Sequence, residues 1–168
     1  MTDQNTPEQD THMWDDLDAN PPEGYRRLDW VQGFGGQMGP LFEMDDATGS
    51  QRAFRVMDHH VNGGGICHGG MLMAFADIAF GHVAALDAKG WFMTIRLVTD
   101  FVAPAELGEW VMGTGKIVGK DRSLYTVEGR IWSGDKTIMT GQGIFKTRPA
   151  PEGSHIAARL AAKENSAK

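Results

Sequence analysis

The sequence predicts an α+β fold in which one long central helix is wrapped by a curved antiparallel sheet of about six strands. The first observation is segment 69–86, which is apolar along its length and contains one acidic residue, Asp77. The second is the region after it, where β-rich segments alternate with short polar turns, as in an antiparallel meander. The third is the content of 22 glycines in 168 residues, roughly twice the usual share of about 7%. Glycine inside a strand permits a bend or a close approach.

The predicted helix has no polar face. On a helical wheel Asp77 points away from one apolar group and lies within a second one. The groups are Met71, Leu72, Phe75, Ile78, Ala79 and His82 on one side, and Met73, Phe80, Gly81 and Ala84 on the side of Asp77. A soluble helix normally buries one stripe and exposes the opposite face. We therefore expect protein on both sides of this helix, its own sheet on one and a second copy of the chain on the other.

Strands are predicted both before and after the helix in the sequence. Residues 21–39 are typical of a short helical turn with a glycine loop, and 40–44 and 51–57 predict a hairpin. Segment 91–102 has the period of two of a half-buried strand. Its alternation sets Met93, Ile95, Leu97 and Phe101 against Thr94, Arg96 and Asp100. The predicted meander follows at 110–118, 124–132 and 137–147.

The sequence predicts one domain with a tail at each end, and charge distinguishes the N-terminal tail. The net charge is −6, and residues 1–25 contain seven of the 22 acids and no Lys or Arg, which leaves 15 acids against 16 bases. We expect a flexible acidic tail at 1–22, one domain at 23–148 and a C-terminal tail at 149–168 that forms at most a frayed helix. The basic stripe of a nucleic-acid binder is not present in this pattern.

The sequence predicts a cytoplasmic protein without membrane insertion. The acidic start differs from a signal peptide, and no unbroken apolar run reaches the roughly 18 residues of a membrane helix. One cysteine, Cys67, excludes an internal disulfide and fits a reducing compartment. Because its neighbour His68 cannot face it, we interpret Cys67 as a small buried filler and not as a nucleophile.

Asp77 and the start of the helix are the candidate chemical groups. A carboxylate in apolar surroundings has a raised pKa and is a candidate general base. The alternative is that Asp77 only bonds a nearby backbone group or faces a wet groove. Gly69 and Gly70 leave N–H groups uncovered at the positive end of the helix, where an oxyanion is stabilised. An anion site and a carboxylate on one helix suggest acyl chemistry.

Other motifs favour simpler interpretations. His59, His60 and His68 suggest a metal site, but no acid stands at a ligand spacing, so we expect no metal. His82 lies on an apolar face and is interpreted as a core histidine. The run at 63–65 is three glycines without the parallel βαβ context of a dinucleotide fingerprint.

One motif consists of Asn62, the run His68-Gly69-Gly70 and Asp77, which stands nine residues after the histidine, and a strand that reads Met93-Thr94-Ile95-Arg96-Leu97 follows it. The motif resembles that of the hotdog-fold acyl-CoA thioesterases of the phenylacetic-acid-degradation type, a branch similar to 4-hydroxybenzoyl-CoA thioesterase, over residues 39–147. The resemblance implies that Asp77 is the general base or the nucleophile. It also implies that the Gly69 N–H polarises the carbonyl, that His68 shapes the loop, that Asn62 orients the water or the carbonyl, and that Thr94 supplies the strand hydroxyl.

The resemblance implies a hydrolase that cleaves acyl-CoA thioesters to the free acid and coenzyme A without a bound cofactor. It further implies a homodimer or homotetramer whose sites form between subunits. The expected acyl lining is Gly70, Met71, Met73 and Phe80. Lys120 and Arg122 are candidates for the coenzyme A phosphates, with solvated surface charge as the alternative.

Two other functions remain open from the sequence. One is a binding module that holds an acyl-CoA or a related ligand without hydrolysing it. The other is a hotdog dehydratase, although those enzymes pair a histidine with an acid in a different motif.

Overall fold

The computed structural model describes residues 20–30, 32–46, 49–150 and 152–153 of the chain. In chain order the elements are β1 (Arg26–Arg27), α1 (Gly33–Gln37), β2 (Leu41–Asp46), β3 (Gly49–Arg55), a 3-10 turn (Asp58–His60), α2 (Gly69–Asp87), β4 (Gly90–Phe101), β5 (Trp110–Asp121), β6 (Leu124–Ser133) and β7 (Lys136–Pro149). The predicted central helix and all six predicted strands are present. β1 was not predicted, because a strand of two residues is too short to show a periodic pattern in the sequence.

The seven strands form one antiparallel sheet in the order β1-β2-β3-β5-β6-β7-β4. β2 and β3 form the predicted hairpin, and β5, β6 and β7 form the predicted meander. β4 precedes the meander in the chain but pairs with β7 on its far side. β4 is therefore an edge strand, and β7 is its only neighbour among the described strands.

α2 lies against the sheet, and strand glycines make room for its aromatic rings. A Cβ atom on Gly129 would lie 2.1 Å from Cε1 of Phe80, and one on Gly113 would lie 2.9 Å from Cε1 of Phe75. Neither distance is possible for a larger residue in the same position. The prediction that these glycines permit a close approach is confirmed, and the approaching group is the central helix.

By length and composition alone, α2 could cross a membrane, with a mean hydropathy of 1.5. The expectation from the sequence used another criterion, an apolar run without a charged residue or glycine, and Asp77 and Gly81 interrupt this segment. More than half of the stretch is buried inside the protein, and its rings contact the sheet as described above. These contacts are those of the core helix of a globular domain.

A buried polar network joins α2 to the β2–β3 hairpin. The ring nitrogens of His82 lie 2.9 Å and 3.2 Å from Nη2 of Arg52, and its Nε2 lies 2.9 Å from Oγ of Ser50. Arg52 forms an ion pair with the fully buried Glu43, and Arg26 approaches the same carboxylate from the surface. His82 is thus a core histidine with polar partners, as predicted.

The predicted tails, 1–22 and 149–168, lie almost entirely outside the described residues, so the domain boundaries remain predictions. Cys67 is buried, and burial raises the pKa of its thiol to about 12. An inert buried thiol agrees with the interpretation of Cys67 as a filler.

Candidate active site

One stripe of α2 faces the edge strand β4. The stripe consists of residues four apart, which lie above one another on a helix. Its contacts with β4 are Gly69 with Phe101, Met73 with Thr99, Asp77 with Thr94, and Gly81 with Phe92. Residue numbers rise along the helix as they fall along the strand, so β4 runs back alongside α2.

Asp77 lies half-buried on this stripe and accepts a hydrogen bond from Oγ1 of Thr94. Burial raises the pKa of Asp77, and the Thr94 hydrogen bond opposes that rise in part. Within the described residues Asp77 makes no ion pair. The predicted direction of the pKa shift is confirmed. The group is a carboxylate with increased affinity for a proton, as a general base requires.

His68 caps the start of α2. Its Nδ1 accepts the N–H of Gly70 at 2.8 Å, and its carbonyl accepts the N–H of Leu72 at 3.2 Å. The first N–H groups of a helix have no partner inside the helix. In the part of the chain that the structure describes, the Gly69 N–H has no hydrogen-bond acceptor. Of the two glycine donors, Gly69 is therefore the one left for a ligand, and the helix dipole favours an anion there.

The glycine loop before the helix is closed by its own hydrogen bonds. Oδ1 of Asn62 accepts the N–H of Gly64 at 2.8 Å, and the N–H of Asn62 donates to the carbonyl of Ile66 at 2.9 Å. The loop thus uses the side-chain oxygen of Asn62. Its amide nitrogen, which makes no hydrogen bond to a described residue, remains as the donor for a ligand.

His60 connects the segment before the glycine loop to the start of α2 through hydrogen bonds. Its Nδ1 accepts the N–H of Met57 at 3.0 Å, so the ring proton lies on Nε2, which donates to the carbonyl of Met38 at 2.9 Å. Burial, with His59 beside it, lowers the pKa of His60 to about 4. The carbonyl of His60 accepts the N–H of His68 at 2.7 Å. A neutral histidine thus links the end of β3 to the start of α2, a role that the sequence did not reveal.

The three histidines that could suggest a metal site form hydrogen bonds with backbone groups. The described residues contain no group of three or more His, Cys, Asp or Glu side chains that could hold a metal ion. The Nε2 atom of His59 lies 3.1 Å from the carbonyl oxygen of Gly39, so this ring, like that of His60, contacts the backbone of the 38–40 segment.

The predicted acyl-lining residues separate into two pairs. Gly70 is exposed, and Met73 is half-buried beside Thr99 of β4. Met71 is 8% exposed and Phe80 is fully buried against Gly129, so the structure places these two in the core. A helical wheel could not show this for Phe80, because the sheet curls far enough around the helix to cover that side.

Lys120 and Arg122 lie away from the start of α2 in the same chain. Nζ of Lys120 lies 2.6 Å from Oδ2 of Asp87, the last residue of α2, and Arg122 occupies the β5–β6 turn with φ of 51°. The 19 residues of α2 place Asp87 about 27 Å from Gly69 at the usual rise of a helix. In one protomer these cations therefore do not share a site with Gly69.

Gly69 and Asp77 are also separated in one chain. Their spacing of eight residues corresponds to about 12 Å along the helix axis. A general base must lie about 3 Å from the proton it takes, so one carbonyl cannot contact the Gly69 N–H while Asp77 of the same chain activates its water. The candidate site is incomplete in a single copy.

Comparison with known proteins gives three kinds of match. A family model described as Thioesterase superfamily matches residues 64–140. A protein of Pseudomonas aeruginosa named Putative esterase PA0474 is 29% identical over 132 residues, which cover 75% of this chain and 96% of that protein. These two matches support thioester hydrolysis as the general class of reaction.

Solved structures give the third kind of match. The PaaI protein from the phenylacetic acid degradation operon of E. coli aligns with a TM-score of 0.56 and 18% identity over 76% of this chain and 81% of that one. A hexameric broad-specificity acyl-coenzyme A thioesterase aligns with a TM-score of 0.55 and 17% identity over 68% of this chain and 95% of that one.

Proposed function

The chain has the hotdog fold and matches the thioesterase superfamily, and we propose that it hydrolyses acyl-CoA thioesters to the free acid and coenzyme A. The observation that carries the proposal is the half-buried Asp77, which lacks an ion-pair partner among the described residues and has a raised pKa. Acyl-CoA is the proposed substrate class because a structural neighbour is described as an acyl-coenzyme A thioesterase. No metal or bound cofactor is needed.

In the proposed reaction Asp77 takes a proton from a water molecule as the water oxygen attacks the thioester carbon. The carbonyl becomes an oxyanion, which the Gly69 N–H at the positive end of α2 stabilises. The C–S bond then breaks, coenzyme A leaves as its thiolate and is protonated, and the acid is released. In a second version Asp77 attacks the carbon itself, the C–S bond breaks with release of the coenzyme A thiolate, and water then hydrolyses the mixed anhydride to the free acid and the Asp77 carboxylate.

The neighbouring groups have positioning roles in this reaction. Thr94 fixes one oxygen of Asp77 through its hydroxyl. His68 occupies the Gly70 N–H and so leaves the Gly69 donor in place. The amide nitrogen of Asn62 is available to orient the water or the carbonyl. Gly70 and Met73 would contact the acyl group.

We further propose that the working unit is a homodimer, in which Gly69 of one copy faces Asp77 of the other. The separation of about 12 Å within one chain supports this arrangement. So does the edge of β4, where Ile95, Val98, Phe101 and Val102 are all more than half exposed. Exposed apolar edge strands are natural sites of pairing with another chain. A dimer would also cover the open face of α2 and could bring Lys120 and Arg122 to the partner's site. A cytoplasmic location remains a prediction.

The test is thiol release from a panel of short, long and phenylacetyl-type acyl-CoAs, with wild type and Asp77→Asn. Removing a general base lowers turnover by about 10²–10⁴-fold, so we expect a loss of this size with an unchanged fold. Asp135→Asn, an exposed acid in the β6–β7 turn, is the control and should hydrolyse like wild type. Near-normal turnover in Asp77→Asn would rule out the mechanism. Saturable acyl-CoA binding without any thiol release would replace the hydrolase with a binding module.

A further inference from the structure

The outer face of the edge strand β4 carries two opposite charges on either side of an apolar residue. Leu97 packs against the core and Thr99 donates a hydrogen bond to Met73, so residues 96, 98 and 100 face away from α2. They are Arg96, Val98 and Asp100, and they line an open groove of about 640 Å³ on the outer sheet surface. The other lining residues are Glu128, Gly129, Thr140, Gly141 and Gln142.

Neither charge is paired within the part of the chain that the structure describes. In the described residues Arg96 and Asp100 take part in no ion pair, although they lie on the same face of one strand. Val98, between them, is 53% exposed. The charges are thus available to a partner that approaches the open edge of β4.

A second copy of the chain matches this pattern. When two identical strands pair antiparallel about a two-fold axis, each residue lies opposite the residue equally far on the other side of the centre. With the axis at Val98, Arg96 of each copy lies opposite Asp100 of the other. Opposite charges directly across a strand pair stabilise it, and like charges destabilise it.

We propose that Arg96 and Asp100 set the register in which the β4 edges of two copies pair, through two symmetric ion pairs about Val98. The inference rests on the dimer of the proposed function and adds the residues that align it. If the two-fold axis lay between two residues, each inward-facing side chain would lie opposite an outward-facing one, which a strand pair does not allow. If the axis lay at Leu97 or at Thr99, Arg96 and Asp100 would each lie opposite an uncharged residue.

The same register brings the two halves of the candidate site together. With the axis at Val98, Thr94 of one copy lies near Val102 of the other, at the ends of the paired segment. Thr94 contacts Asp77, and Phe101, next to Val102, contacts Gly69. In this register Asp77 of one copy and Gly69 of the other therefore lie next to the same end of the paired strands. The bulge between Thr94 and Arg96 lies just outside the segment 96–100 that carries the charges.

Charge reversal tests this register. Arg96→Asp puts two acids on each β4 edge, and Asp100→Arg puts two arginines there, so each variant faces like charges when it pairs with itself. At low salt we expect each to dimerise at least about tenfold more weakly than wild type. An equal mixture of the two variants should form heterodimers with an affinity within a few-fold of wild type. Native mass spectrometry and sedimentation equilibrium distinguish these species.

Two further variants keep the test decisive. Glu128→Lys reverses a charge in the same groove on β6, two strands from the edge, and should dimerise like wild type. The double variant Arg96→Asp/Asp100→Arg restores both pairs in a homodimer and should recover dimerisation even if a single variant proves unstable. Circular dichroism checks that each variant is folded.

The proposal is overturned if the single variants dimerise like wild type, if the mixture forms no excess of heterodimer, or if wild type is monomeric. Association is measured without substrate, so its outcome is separate from that of thiol release. A wild type that pairs by these charges but hydrolyses no acyl-CoA would refute the proposed function alone. A wild type that hydrolyses acyl-CoA while the charge variants pair normally would refute the register alone.

Discussion

α2 carries two polar side chains five residues apart, Asp77 and His82, and their surroundings differ in kind. His82 belongs to a buried polar network, in which Arg52 and Ser50 contact its ring and the buried Glu43 pairs with Arg52. Among the described residues Asp77 has one hydrogen-bond donor, the neutral hydroxyl of Thr94. Both groups are partly or fully removed from water, but only the network of His82 contains an acid paired with a base, Glu43 with Arg52.

This difference distinguishes a buried polar group with a structural role, His82, from one with a chemical role, Asp77. Burying a charge is costly unless an opposite charge and hydrogen bonds accompany it. The His82 network meets that condition and aligns the β2–β3 hairpin with the helix. Asp77 does not meet it, so its pKa is raised and it gains affinity for a proton. An unbalanced carboxylate on a largely buried helix indicates function rather than stability.

The largest expected effect on stability comes from breaking the network of His82. Arg52→Met removes the buried cation that pairs with the fully buried Glu43, and we expect unfolding to become easier by about 3 kcal/mol. Urea denaturation measures this change. Glu43→Leu added to Arg52→Met should recover most of the loss, because the carboxylate that lost its buried partner is then removed as well. Thiol release per folded molecule should stay within about twofold of wild type.

His60 gives the next largest effect, through pH. Its folded-state pKa of about 4 lies below the unfolded value of 6.5. A depressed histidine pKa contributes stability that is present above pH 6.5 and is lost as the pH falls toward 4. By linkage the full loss is about 3 kcal/mol.

His60→Asn keeps an acceptor for the Met57 N–H without a group that titrates in this range. The difference in unfolding free energy between pH 7 and pH 4.5 should therefore be smaller in His60→Asn than in wild type. An equal difference in both proteins would contradict the neutral, buried state of His60.

Asp77→Asn should have the smallest effect on stability, and of the opposite sign to Arg52→Met. The pKa of Asp77 is raised in the folded state, so folding loses stability as the pH rises through that value. At pH 7 the variant should unfold at a denaturant concentration equal to or higher than wild type, with a gain of about 1 kcal/mol at most. The gain should disappear below pH 3.8, where Asp77 is protonated in both states.

The central features of the fold follow from local patterns, which is why they could be predicted. Segment 69–86 could be only a helix, and the alternating strands with polar turns could form only a meander. The direction of the Asp77 pKa shift followed from one acid in an apolar segment. The family resemblance named Asn62, His68 and Thr94, which the structure places in the loop before α2, at the cap of α2 and on β4 beside Asp77.

What could not be predicted depends on contacts between distant segments. The order of the strands, with β4 at the edge, is a property of the closed sheet. The bulge between Thr94 and Arg96 breaks the period of two, so Ile95, expected to alternate with the polar residues onto the core side, is 59% exposed. Phe80 is buried because Gly129 makes room for its ring. The role of His60 depends on Met38 and Met57, which no short motif connects to it.

The most direct test of the account is the pH dependence of kcat/KM for wild type and Thr94→Val. The hydroxyl of Thr94 lowers the pKa of Asp77 against the opposing effect of burial, so its removal should raise that pKa further. We predict that kcat/KM falls on the acid side with an apparent pKa above 3.8 in wild type, and that this fall moves to higher pH in Thr94→Val. An acid limb that stays at the same pH in Thr94→Val would contradict the claim that the unbalanced Asp77 carboxylate carries the reaction.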